Sequence, residues 1–142
     1  MALNFNNGGG EIKWRERMTQ AKDFTNLKLG GFTPTDVDFA YDVRGDVFIF
    51  GELKAKGAPM PVGQRRLLMA LLMLCLEAGK QCVVLVAEHD TAANENIDVG
   101  SLYVTQSDHT QDGAIVSGHF VGKKVAESCN LFLDTNCDTS YK

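Results

Sequence analysis

Residues 34–54 read PTDVDFAYDVRGDVFIFGELK, and the reading of this stretch decides the fold. Val37-Asp38-Phe39-Ala40-Tyr41 alternates apolar with polar or small side chains, as a half-buried strand does. Arg44-Gly45-Asp46 turns the chain, and Val47 to Leu53 is a β-branched and aromatic run. Residues 37–54 therefore predict a β-hairpin that carries acidic residues. Alternate residues of a strand share a face, so Glu52 and Lys54 project together while Leu53 points into the core. Asp38, across the hairpin, can share the face of Glu52.

Working outward, Lys56-Gly57-Ala58-Pro59-Met60-Pro61 is a loop, and Pro61 suits the first residue of a helix running to about Ala78, with Gly79 as its stop. From Leu67 to Leu76 this helix is apolar on every side, which implies burial all round, either inside the domain or against a second copy of the chain. Val83 to Ala87 follows as a continuous apolar strand of the kind found mid-sheet with both faces covered. Leu102 to Thr105 and Ala114 to Val121 predict two further strands, and Lys123 to Leu133 a short helix. Before the hairpin, Glu11 to Leu29 holds good helix formers, with Trp14, Met18 and Ala21 near one face; it predicts an amphipathic first helix that ends at Gly30-Gly31. Residues 1–10 are polar and glycine-rich and read as a flexible start. Helix, hairpin, helix, inner strand is an α/β order, with a central mixed sheet flanked by helices.

The chain has 142 residues, the size of one domain able to bury a core unaided, and no linker divides it. Its beginning lacks the features of a secretory signal, and Leu67 to Leu76 falls well short of the roughly 20 apolar residues that span a bilayer. The expected setting is cytoplasmic, in a bacterial cell or a phage-infected host, with no membrane partner. Cys75, Cys82, Cys129 and Cys137 form no CxxC pair and have no histidine at zinc-ligand spacing; Cys75 and Cys82 read as buried reduced thiols. A formal net charge of -4 argues against a surface coated with basic residues, although a local basic patch is compatible with it.

The chemistry concentrates in Pro34-Thr-Asp-Val-Asp38, then Gly51-Glu52-Leu53-Lys54, then Gln64 at the start of a helix. Two carboxylates on adjacent strands make an oxygen-rich site for a hard cation such as Mg²⁺ (or Mn²⁺). A lysine beside them can orient a water and stabilise charge as it attacks phosphorus. The pattern resembles the PD-(D/E)XK phosphodiesterase superfamily, which includes many restriction enzymes, Holliday-junction resolvases and virus-type replication-repair nucleases. The resemblance covers roughly Glu11 to Glu88 and is nearest to the resolvase-like and virus-type branch. It implies that Asp38 is the first metal ligand, Glu52 the second and Lys54 the catalytic lysine. It further implies that the Leu53 carbonyl completes the metal shell and that Gln64 is the glutamine of the following helix. The motif begins Pro-Thr-Asp-Val-Asp rather than Pro-Asp, so either Asp36 or Asp38 can be the ligand; Asp38 is preferred because it falls within the predicted strand. Some relatives add a glutamate from the first helix, a place open to Glu16 or Glu11.

The function expected from this resemblance is a metal-dependent DNA endonuclease of restriction-endonuclease-like core, junction-resolving or otherwise structure-specific. It would act as a homodimer, since resolving a branch needs two active sites. The small size suits a phage or plasmid origin. The competing expectation is a nuclease-fold protein that binds nucleic acid or another protein without cutting.

Overall fold

A computed structural model of the chain describes residues 20–27, 30–32 and 34–138. The chain divides into two units, Met1–Pro34 and Thr35–Lys142. In the first, the described residues hold a single 3₁₀ turn, Thr25–Leu27. The α-helix expected over residues 11–29 is therefore absent from residues 20–27, and its remainder, with Glu11, Trp14, Glu16 and Met18, lies outside the described residues. The local reason is Asp23, whose Oδ1 accepts from both the backbone N–H of Thr25 (2.9 Å) and its hydroxyl (2.5 Å). Such a side-chain turn offers the backbone an alternative to helical pairing.

The second unit is a five-stranded mixed sheet with one helix on each face. Its elements are β1 (Phe39–Val43), β2 (Val47–Ala55), α1 (Val62–Glu77), β3 (Gln81–His89), β4 (Tyr103–Gln111), β5 (Ala114–Ser117) and α2 (Val125–Asn136). The spatial order is β1-β2-β3-β4-β5; only β2 and β3 run parallel, and the α1 crossover joins them. β3 lies mid-sheet and is buried from Cys82 to Ala87, as its unbroken apolar run predicts. The pleat divides the core in two. Ile49, Val83, Leu85, Ala87 and Val104 pack with Val125, Cys129 and Phe132 of α2, while Cys82 and Val84 pack with Leu68 and Leu72 of α1. All four cysteines are free thiols; Cys75 is only half-buried, and burial pushes the Cys129 thiol up to about 11.

Three sequence expectations shift. α1 does not bury its whole circumference within the described residues: Leu68 and Leu72 are inside, but Val62, Met73 and Leu74 are 74%, 41% and 62% exposed. The strand expected over residues 102–105 is nine residues long, because the polar side chains of its second half are satisfied in place. Thr110 Oγ1 accepts from the Cys82 N–H (2.9 Å) and donates to Gln81 Oε1 (3.1 Å), and Ser107 Oγ accepts from the Phe120 N–H (3.0 Å). The strand expected over residues 114–121 stops at Ser117, where Gly118 adopts a positive φ of 84° and turns Phe120 into the α2-side core. No helix among the described residues is long and apolar enough to cross a membrane.

Candidate active site

The hairpin brings the predicted residues to the carboxyl end of β2, on the face that α1 covers. Phe39 pairs with Gly51, and the close fit explains the glycine: a Cβ at residue 51 would stand 1.9 Å from Phe39 Cε1. With the phenyl ring laid over Gly51, the chain just before β1 follows β2. The Asp38 N–H donates to the Gly51 carbonyl (3.1 Å), and Asp38 Oδ2 accepts from the Leu53 N–H (2.6 Å). Asp38 thus sits one residue outside β1 rather than within it, and holds its place through its own carboxylate.

Leu53 packs against the α2-side core, so its neighbours Glu52 and Lys54 face α1. Glu52 is 2% exposed, with Oε1 3.2 Å from Lys54 Nζ. Lys54 Nζ also donates to Oε1 of Gln64, in the first turn of α1. Gln64 therefore ties the helix to the strand through the lysine. Glu52 Oε2 is buried without a hydrogen-bond partner. Burial raises the Glu52 carboxyl above its ordinary value of 4.5; the hydrogen bond from Lys54 opposes this, and the negative charges of Asp38 and Asp36 add to it.

No protein-family model, curated protein or solved structure matches the chain. The chemistry of the site must be read from its own geometry.

Asp38, Glu52, Lys54 and Gln64 come together, with Asp38 joined to the others through Leu53. Asp36 is exposed and reaches the group through its charge. Glu16 and Glu11 lie outside the described residues. Lys56, Arg65 and Arg66 are exposed, and Arg65 borders a small recess with Gln106 and Asp108. His89 ends β3 two residues beyond Ala87, a member of the α2-side core, so it stands on the opposite face of the sheet from Glu52. Among the described residues no three Asp, Glu, His or Cys side chains converge tightly enough to hold a metal ion. The carboxylates available are a pair, Asp38 and Glu52. That is compatible with a magnesium-type cation, which commonly takes one or two carboxylates and fills its octahedron with water and substrate oxygens. The unpartnered, buried Glu52 Oε2 is an oxygen suited to such an ion.

Sequence reasoning overlooked Glu88 of β3, which is in register with Lys54 on the parallel neighbour. Nothing in the local sequence marks it, because the pairing depends on how β2 and β3 align across the α1 crossover.

Proposed function

We propose that the chain is a metal-dependent DNA endonuclease with a restriction-endonuclease-like core, acting on structured or branched DNA. One observation carries the reading: a buried carboxylate, Glu52, shares one oxygen with the ammonium of Lys54, while its other oxygen lacks a hydrogen-bond partner and the negative charge of Asp38 acts on the same group. Asp38 and Glu52, with the Leu53 carbonyl, would hold Mg²⁺ or Mn²⁺. When bound, such an ion lowers the energy of charge building on phosphoryl and attacking oxygens. The protein's own part is positional. Lys54, fixed between Glu52 and Gln64, presents a cation to the oxygen that attacks phosphorus, and Gln64 prevents the ammonium from collapsing onto the carboxylate alone. Asp36 supplies further negative potential toward the cation. Cutting a branch on two strands calls for two copies, and the exposed Val62, Met73 and Leu74 of α1 are the surface through which a homodimer would form.

A second reading, a nuclease-fold module that binds nucleic acid or protein without cutting, draws on the net charge of -4 and on the lack of a third converging ligand among the described residues. The two separate in one assay. Labelled linear, flapped and four-way DNA is incubated with Mg²⁺ or Mn²⁺, using wild type, Glu52→Gln and wild type with excess EDTA. The endonuclease reading expects cleavage that both changes abolish. Absence of cleavage on all substrates, with binding indifferent to Glu52→Gln, overturns it in favour of the module.

A further inference from the structure

Beyond the Asp38–Glu52 pair, the same face of the sheet carries a row of side chains across four adjacent segments. Lys54 of β2 is in register with Glu88 of β3, and Glu88 with Tyr103 of β4. Tyr103 in turn forms an antiparallel bridge with Lys124, just ahead of α2. The bridge is of the narrow type, because its hydrogen bonds flank it: the Val125 N–H donates to the Leu102 carbonyl (2.8 Å) and the Val104 N–H to the Lys123 carbonyl (2.9 Å). Side chains of such a pair lie close together on one face.

The pleat confirms that all four share that face. Each has a chain neighbour in the α2-side core, namely Leu53, Ala87, Val104 and Val125. Alternation therefore directs Lys54, Glu88 and Tyr103 away from α2, and the narrow pairing with Tyr103 carries Lys124 to the same face. With adjacent strands about 4.8 Å apart, the row runs for roughly 14 Å. Tyr103 is 58% exposed, and Lys124 is exposed.

We propose that this row is a track for an unpaired nucleic-acid strand entering the site. The proposal rests on the endonuclease reading for its direction, and it supplies a substrate class. Lys124 is an exposed cation for a backbone phosphate at one end; Lys54, held by Glu52 and Gln64, marks the site at the other, and between them an open aromatic ring offers a stacking platform. Glu88, next to the ring, is an acceptor for an exocyclic base amino group. Bases within a duplex are already stacked, so only an unpaired base can use Tyr103. The track therefore selects single-stranded segments, such as flaps and opened junction arms, over continuous duplex.

The test uses the full chain in EDTA, so that binding is read without cleavage. A mixed-sequence single-stranded DNA carrying 5-iododeoxyuridine is irradiated, the crosslinked peptide is mapped, and affinity is measured by fluorescence anisotropy across a salt series. The expected crosslink is at Tyr103. Tyr103→Ala is expected to weaken single-strand binding about 5- to 150-fold, and Tyr103→Phe to preserve it. Lys124→Ala should weaken binding and lower the salt slope by about 0.7. Both residues are exposed, so these variants fold. A crosslink elsewhere together with wild-type affinity in Tyr103→Ala and Lys124→Ala, or no measurable single-strand binding, overturns the track. Binding that depends on Tyr103 in a protein that cuts nothing once Mg²⁺ is added leaves the track standing and removes the endonuclease reading instead.

Discussion

Lys54 Nζ lies 3.2 Å from Glu52 Oε1, and the two side chains retain only 13% and 3% of their exposure. Two opposite charges have thus been taken out of water together, at the carboxyl end of β2. Such a pair is costly to break from one side, because the survivor is left as an uncompensated buried charge. Much of what can be measured at this site follows from that asymmetry.

Glu52→Gln should separate stability from activity. The fold raises the Glu52 carboxyl, so the native state binds its proton more tightly than the unfolded chain does. Wild-type stability from this group is full below the ordinary carboxylate value and declines as pH rises through the raised one. The glutamine variant lacks that decline. Urea denaturation at pH 4 and pH 8 should show the stability of the variant relative to wild type rising with pH, while DNA cleavage is lost. A relative stability that falls with rising pH would mean that Glu52 ionises more easily in the fold, contrary to its burial.

Lys54→Met should destabilise the protein by about 3 kcal/mol at pH 8, the usual scale for stranding one member of a buried pair. The loss should shrink as the pH is lowered, because burial raises the Glu52 carboxyl and favours its protonated form. Adding Glu52→Gln should recover much of the deficit, which a thermal-denaturation double-mutant cycle will read. Additive losses would show that the two side chains do not interact.

Asp38 has two duties that substitution can divide. Asp38→Asn keeps an oxygen to accept from the Leu53 N–H but removes the charge, so it should fold normally and lose Mn²⁺ affinity in calorimetry. Asp38→Ala also frees that N–H and should cost about 1 kcal/mol more stability. Equal metal affinity in wild type and Asp38→Asn would exclude Asp38 as a ligand.

Gly51→Ala should destabilise by about 1–3 kcal/mol, because the new methyl group collides with the Phe39 ring. Phe39→Val in the same chain should relieve part of the cost. If Gly51→Ala unfolds at the wild-type urea midpoint, the ring has another place to go.

The hairpin, the limits of α1 and the inner strand were legible because their signals are local. Pro61 and Gly79 bracket the helix, and the run from Cys82 to Ala87 has no polar interruption. The grouping of Glu52, Lys54 and Gln64 was also readable, since strand alternation and one short loop set it. Four features were not. The second half of β4 looks like a loop until Thr110 and Ser107 find their partners across the sheet. Asp38 falls outside β1 because of its bond to Leu53, a tertiary contact. Residues 20–27 follow the turn chemistry of Asp23 rather than the helix propensity of their neighbours. Lys54, Glu88, Tyr103 and Lys124 are spread over 71 positions of sequence, and only the strand register aligns them.

The alternation behind that row also guards it. Leu53, Ala87 and Val104 each occupy the position next to a polar member, so sliding β2, β3 or β4 by one residue would exchange a core side chain for a charged or hydroxylated one. A mispaired sheet would therefore drive lysine or glutamate into the α2-side core. Folding fidelity and the alignment of the site are two readouts of a single code, and a mutation that loosens the core on the far side of the sheet will blur the chemistry on the near side without touching any residue of it.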